Sequence, residues 1–326
     1  MPKTNKIRVG IVGAAGYTGG ELIRILLNHP EAEIKYVQSS SHNGQPVSFV
    51  HPDLLGDTYL VFSNIEIENT DVIFLCSGHG KSIGFMAQNN IPERVKVIDL
   101  SHDFRLKREG NDFIYGLPEL NRDLIKKANR IANPGCFATA IQLAILPLAA
   151  AGMLKDEVHI TAITGSTGAG QAVAPTTHFS WRDNNLSVYK AFEHQHLGEI
   201  IQSLGQAQPG FDKAVNFIPV RGNHTRGIFA TAYTRFDETA GEAMDVYHSY
   251  YKSHPFVNIS GSNPDLKQVV NTNKALLYLE KHGDKLMIIS CIDNLIKGAS
   301  GQAVQNMNLM FGLDESVGLK LKAGVF

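Results

Sequence analysis

The residue most able to do chemistry is Cys136, in the run Asn133-Pro134-Gly135-Cys136. Pro134 and Gly135 are turn residues, one with a fixed φ and one with a free φ. Phe137, Ile141, Ala144 and Leu148 then recur at helical spacing, which predicts a helix from Cys136 to about Ala151. The thiol therefore sits where a tight turn feeds a first helical turn. Unpaired N–H groups and the positive end of the helix dipole favour a thiolate there, so Cys136 is a candidate nucleophile. The competing reading is a small buried apolar residue. His194-Gln195-His196 precedes a helical run from about Leu197. Residues two apart share a face only in extended chain, so an extended lead-in turns both rings into one cleft and a helical one turns in a single ring. His224, within Gly222-Asn223-His224-Thr225-Arg226-Gly227, competes for the same proton-transfer role. Arg105 closes the run Ser101-His102-Asp103-Phe104-Arg105 and could grip an anion with both arms of its guanidinium. An exposed surface arginine is the alternative.

These residues need elements to position them. Ile7-Arg8-Val9-Gly10-Ile11-Val12 is a strand-like run that ends in Gly13-Ala14-Ala15-Gly16-Tyr17-Thr18-Gly19-Gly20 and passes into a helical pattern through Leu22, Ile23, Ile25 and Leu26. Strand, glycine-rich turn and helix in that order is the context a dinucleotide site requires, although the spacing is G-x-x-G-x-x-G. The next strand, Ile34 to Gln38, ends in Ser39-Ser40-Ser41-His42 with no acidic residue to hold a ribose hydroxyl. Small hydroxyls there suit a 2′-phosphate, so the expected cofactor is NADP(H); a plain polar loop is the alternative. Asp71 to Cys76 and Val95 to Leu100 read as buried parallel strands, with Gly78-His79-Gly80-Lys81 and Ser101 to Arg105 leaving at the ligand-binding edge. Cys76, at a strand end, reads as packing.

From about residue 141 the pattern changes. Val158 to Thr164, Val215 to Val220 and Ile228 to Tyr233 alternate as half-buried, mostly antiparallel strands do, and Leu276 to Leu279 and Leu286 to Cys291 extend that sheet. A second glycine-rich turn, Thr164-Gly165-Ser166-Thr167-Gly168-Ala169-Gly170, follows a strand and is expected to offer N–H groups to an anion. Ala299 to Phe311 has helical periodicity and is expected to rejoin the first domain. The expected fold is α/β: a Rossmann-type doubly wound domain plus an α+β catalytic and dimerisation domain with a largely antiparallel sheet. The boundaries expected are 1–140, joined by a C-terminal helix over 299–326, and 141–298.

Composition narrows the function. A length of 326 residues suits two domains, and 43% hydrophobic with 19% charged residues describes a globular protein. A formal net charge of -1 argues against nucleic acid or an anionic membrane as partner. Cys76, Cys136 and Cys291 are too few for a disulfide framework and lack metal-site spacing, so no metal is expected and a reducing compartment is. The amino terminus shows no signal-peptide pattern and no apolar run is long enough to span a bilayer, so the expected location is the cytoplasm.

Five motifs, taken in order, resemble the N-acetyl-γ-glutamyl-phosphate reductase family: Gly13 to Leu22, Asp99 to Arg105, Tyr115-Gly116-Leu117-Pro118-Glu119-Leu120, Asn133 to Cys136, and Lys297-Gly298-Ala299-Ser300-Gly301-Gln302-Ala303. The resemblance spans almost the whole chain and extends, more distantly, to aspartate-semialdehyde dehydrogenase. It implies NADPH-dependent reductive dephosphorylation of an acyl phosphate through a Cys136 thioester, in arginine biosynthesis. By family position the acid–base role falls to His194, with His196 lining the site. Gly13, Gly16, Tyr17, Thr18, Gly19, Ser39, Ser40, Gly168 and Asn294 would serve the cofactor, Asn294 near its nicotinamide end. Arg105, Asn133 and Ser166 would hold the substrate's carboxylate or phosphate. The resemblance further implies a homodimer or homotetramer. Two features depart from the family pattern. His224 stands where many members have an apolar residue, and the loop Trp181-Arg182-Asp183-Asn184-Asn185 is unusual and bears on whether the acyl group is acetyl, succinyl or carrier-bound. A shorter aspartyl substrate and a non-catalytic NADP sensor are the alternative functions; the thiol at a helix start disfavours the sensor.

Overall fold

The computed structural model describes residues 6–324, which form two compact units. The first runs to Pro134 and takes in Ala299–Lys320. It opens with β1 (Ile7–Val12), α1 (Tyr17–Leu27), β2 (Ala32–Gln38), β3 (Val72–Leu75), α2 (Ser82–Gln88), β4 (Lys96–Asp99), β5 (Ile114–Tyr115), α3 (Pro118–Ile125) and β6 (Arg130–Ala132). All six strands are parallel, in the order β2-β1-β3-β4-β6-β5. The order reverses between β1 and β3, the position at which open α/β sheets bind ligands. β3 is buried along its whole length, as its unbroken Val72-Ile73-Phe74-Leu75 run requires of a strand covered on both faces. The two short strands β5 and β6 carry too few residues to show a period.

The second unit holds Gly135–Gly298 and the last described residues. Its chain runs α4 (Cys136–Ala150), β7 (Val158–Thr164), α5 (Phe179–Arg182), β8 (Ser187–Val188), α6 (His196–Ala207), β9 (Val215–Arg221), β10 (Ile228–Arg235), α7 (Ala240–Tyr251), β11 (Val257–Ile259), β12 (Ala275–His282) and β13 (Lys285–Ile292). A π-helical turn, Ile296–Ser300, and α8 (Gly301–Met310) return the chain to the first unit. The second sheet has the order β11-β12-β13-β10-β7-β9-β8 and is mixed: β7–β9 and β11–β12 pair in parallel and the other four pairs are antiparallel. Alternation in β10 buries Ile228, Ala230 and Ala232 on the helix-covered face and leaves Phe229, Thr231 and Tyr233 on the other.

α4 is the centre of this unit. Residues 137–149 are all buried, which is why the segment is apolar all round rather than along one stripe. Pro147 lies inside it and cannot donate to Leu143 four residues back. The Tyr251 hydroxyl donates to that Leu143 carbonyl at 2.6 Å, and Tyr247 donates to the neighbouring Ala144 carbonyl. α4 packs on β10, β13, α6 and α7, so the unit boundary falls between Pro134 and Gly135, ahead of the expected residue 141. The helix expected over 299–326 is also shorter. α8 ends at Met310 because Gly312, at φ +71°, turns the chain out of helical geometry, and its buried length packs on α1, α3 and β4.

Candidate active site

Cys136 is the first residue of α4, with Gly135 in extended geometry as the N-cap. The thiol thus occupies the helix position that the turn chemistry predicts. Gly298 lies against it. A methyl group on Gly298 would stand 2.8 Å from the Cys136 Cβ and 3.2 Å from the Asp293 carbonyl, so only glycine fits. Below the thiol, the Gly135 N–H donates to the buried Glu199 carboxylate at 2.9 Å. Glu199 also lies 3.9 Å from His196 Nε2, three residues before it on α6. A carboxylate at a helix N-terminus satisfies an orphan donor and fixes the turn that carries the cysteine.

Both histidines reach this place. His194 and His196 are buried with ring centroids 4.7 Å apart, and both pack edge-on against Phe137, at 5.4 and 6.2 Å. The lead-in is a turn, not extended chain. His194 precedes α6 and its Nδ1 accepts the His196 backbone N–H at 3.3 Å, which curls one ring over the other. That bond assigns the proton of a neutral imidazole to Nε2. Burial pushes the His194 pKa down to about 4, with Lys190 and Arg221 adding to the effect, so the ring is neutral at pH 7. Tyr189, 5.6 Å from His194, has its hydroxyl pushed up to about 12 by burial and by Cys136, against the pull of Arg221. His224 is tied to its own loop: Nε2 lies 3.4 Å from the Gly227 carbonyl and the ring fills the space beside Gly222.

The dinucleotide turn follows β1 in the first unit. Gly13 has φ +78°, and a methyl there would meet Ser77 N at 2.6 Å. A methyl on Gly19 would meet Ala14 Cα at 2.6 Å, so that glycine lets α1 pack on the turn. Gly16 is the N-cap of α1, and a methyl on it would have nothing nearer than the Gly13 carbonyl at 3.7 Å. The open side of the turn is therefore over Gly16, beside the N–H groups of Tyr17 and Thr18, which have no intrahelical acceptor. Ser39 and Ser40 follow β2, Ser39 buried with its Oγ 3.4 Å from Ser41 Oγ and Ser40 exposed. These residues fit a dinucleotide. Thr18 also bonds the Cys76 thiol, which burial pushes up to about 12, in keeping with a packing role.

Three further candidates, the turn at 165–170, Arg105 and Asn133, make hydrogen bonds within the fold. The turn at 165–170 is not an open anion nest. The N–H groups of Gly165, Ser166 and Thr167 donate to the carbonyls of Gly227, His224 and Thr225, while Gly168 and Gly170 donate within the turn. Asn294 supports that closure, donating from Nδ2 to Thr167 Oγ1 at 3.0 Å and accepting the Gly227 N–H at 2.7 Å. Arg105 is no surface arginine: it is buried, and Nε and Nη2 donate to the carbonyls of Asn133 and Leu100. Asn133 is likewise engaged, its Nδ2 donating to the Ala299 carbonyl and its Oδ1 accepting from Asn306. Among the described residues no group of three or more His, Cys, Asp or Glu side chains could hold a metal ion, and no helix is long and apolar enough to cross a membrane.

The profile of the semialdehyde dehydrogenase NAD binding domain matches residues 8–128, and that of the semialdehyde dehydrogenase dimerisation domain matches residues 136–294. An N-acetyl-gamma-glutamyl-phosphate reductase from Christiangramia forsetii is 57% identical over 98% of this chain and 100% of its own length. The chain belongs to the N-acetyl-gamma-glutamyl-phosphate reductase family. The reductase of that name from Bacteroides thetaiotaomicron is equally similar, at 57% over 98% of this chain and 100% of its own. Among solved structures, aspartate semialdehyde dehydrogenase II from Vibrio cholerae matches with TM-score 0.75 and 17% identity over 95% of this chain and 99% of its own, a likeness of fold.

Sequence reasoning missed Glu199, Tyr189 and Arg221 in this reductase-family chain. Glu199 had a signal, the i,i+3 spacing from His196 on a helix. Arg221 and Tyr189 had none, because β9 and the loop before α6 meet only through tertiary folding. The Arg221 guanidinium lies 4.4 Å over the Tyr189 ring.

Proposed function

We propose that this chain reduces N-acetyl-γ-glutamyl phosphate to N-acetyl-glutamate semialdehyde with NADPH, through a thioester on Cys136, in the cytoplasmic route to arginine. The observation that carries the reading is Cys136 at the first position of α4, against Gly298, in a chain 57% identical to reductases of that name. The Cys136 thiolate attacks the acyl carbon, a C–S bond forms, and the C–O bond to phosphate breaks. When bound, the reduced nicotinamide supplies a hydride to the thioester carbon. The Nε2–H of the neutral His194 donates a hydrogen bond to the oxyanion so formed. The oxyanion then collapses as the C–S bond breaks, releasing aldehyde and thiolate. His196 and Glu199 hold the turn under the thiol.

Gly13, Gly16, Tyr17, Thr18 and Gly19 would seat the pyrophosphate, and Ser39 and Ser40 the 2′-phosphate that selects NADP over NAD. Gly168 and Asn294 would then shape the nicotinamide end by holding the second glycine turn closed. Ser166 offers a hydroxyl to substrate, and Arg105 and Asn133 act by fixing the chain that leads to Cys136. The face of the second sheet around the partly buried Phe229, Tyr278 and Met287 suits a homodimer. The test is phosphate-dependent reduction of NADP+ by N-acetyl-glutamate semialdehyde, with aspartate semialdehyde as the control substrate. The expected result is turnover that falls by about 10³-fold or more in Cys136→Ser. Equal activity of the variant, or turnover of the aspartyl substrate alone, rejects the assignment.

A further inference from the structure

The second unit contains two arginines with no acidic partner among the described residues. Arg182, at the end of α5, is only 8% exposed, and it donates to carbonyls: Nη2 to Thr176 at 2.6 Å, and Nη1 to Arg221 and Gly222 at 3.5 and 3.4 Å. Its buried Nε has no hydrogen-bond partner. Arg221, at the end of β9, bonds Thr176 Oγ1 at 3.3 Å and lies over Tyr189. Neither forms an ion pair with a carboxylate among the described residues. Arg226, by contrast, is neutralised by the buried Asp293, which its Nε and Nη2 reach at 3.1 and 3.2 Å.

Two adjacent guanidiniums repel, and burying one beside the other is costly unless an anion joins them. Tyr189 connects the pair to the chemistry, since its ring touches both Arg221 and His194. We infer that Arg182 and Arg221 form a carboxylate-binding pair that sets substrate specificity, a reading that rests on the proposed reductase activity. Fork-shaped guanidiniums match a carboxylate in two-point contact. The carboxylate has two possible sources in this substrate class, the α-carboxylate of the glutamyl unit or the far carboxylate of a dicarboxylic N-acyl group such as succinyl.

The experiment compares wild type with Arg221→Gln and Arg221→Lys on three aldehydes: N-acetyl-glutamate semialdehyde, its α-carboxamide, and N-succinyl-glutamate semialdehyde. Melting temperature checks the fold of each variant. Arg221→Gln is expected to raise the KM for the aldehyde about 10- to 100-fold, the loss expected of a charge-assisted hydrogen bond, with kcat and the KM for NADP+ nearly unchanged. Arg221→Lys is expected to recover part of that loss. If the pair holds the α-carboxylate, the carboxamide loses as much in wild type and nothing more in Arg221→Gln. If it holds the acyl carboxylate, wild type prefers the succinyl substrate and Arg221→Gln does not. Folded variants with wild-type KM for all three aldehydes overturn the inference. Should Arg221→Gln not fold, wild type that treats the carboxamide, acetyl and succinyl substrates alike overturns it as well. Calorimetric titration with glutarate and N-succinyl-glutamate separates this inference from the activity. Binding to wild type that is lost in Arg221→Gln supports the pair even if no aldehyde turns over, and equal binding to both proteins rejects it.

Discussion

Two glycine-rich turns that look alike in sequence do opposite things. Gly13 to Gly20 and Gly165 to Gly170 each follow an apolar strand, and each offers a row of small residues with backbone N–H groups. In the first, Gln38 takes the Gly13 and Ala14 N–H groups, and the helix that follows leaves the N–H groups of its first turn without intrahelical acceptors. In the second, a short 3₁₀ turn is met edge-on by the 222–227 loop, whose carbonyls take the N–H groups of Gly165 to Thr167. The lesson is one of accounting. A glycine turn binds an anion only when no carbonyl of the same fold has already claimed its donors.

That contrast can be broken at single residues. The largest effect is expected from Gly13→Ala, where a positive φ and a 2.6 Å approach to Ser77 N act together. Thermal or urea unfolding should show a loss of about 3 kcal/mol or more. The next largest concerns acid. His194 is neutral in the fold down to about pH 4 against an ordinary value of 6.5, so the unfolded chain binds the extra proton between those limits. Stability should be unaffected above pH 6.5 and fall by up to about 3 kcal/mol as the pH drops from 6.5 to 4. The lowered values of His29, His51 and His224, each caused first by burial, act in the same direction. Unfolding curves at pH 7, 5.5 and 4.5 check the slope, and His194→Asn should flatten it.

Gly165→Ala comes third. A methyl there meets the Thr225 carbonyl at 2.5 Å, so the loop must shift and stability should fall by about 1–3 kcal/mol, with a smaller loss of NADP(H) affinity than at Gly16. Gly16→Ala should do the reverse. Nothing in the fold obstructs the methyl, so the melting temperature should hold while NADP(H) affinity, read by fluorescence titration, drops about tenfold from the loss of close approach. If Gly165→Ala weakened the cofactor as much as Gly16→Ala, the distinction between an open and a closed turn would fail.

Local pattern was enough for the parts of this protein that depend on neighbours in sequence. The turn before Cys136 and the helix after it were legible because turn residues and a 3.6-residue period are chain-local signals. The alternation in β7, β9 and β10 was legible for the same reason. The short strands β5 and β6 were not, since two or three residues have no period. The site divides along the same line. Cys136 and the His194–His196 pair were legible as candidates, and Glu199 stood in view at helical spacing from His196.

What the chain by itself determined was a cysteine at a helix start, a strand, glycine turn and helix in series, and two sheets of different character. Which donors stay available was decided by tertiary structure, because hydrogen-bond capacity is finite and a distant segment can use it up. Arg105 spends its buried guanidinium on the Asn133 and Leu100 carbonyls, Asn294 spends its amide on Thr167 and Gly227, and Arg226 is neutralised by Asp293. Arg182 and Arg221 are left with like charge and, among the described residues, no carboxylate, a condition that no spacing along the sequence could have expressed.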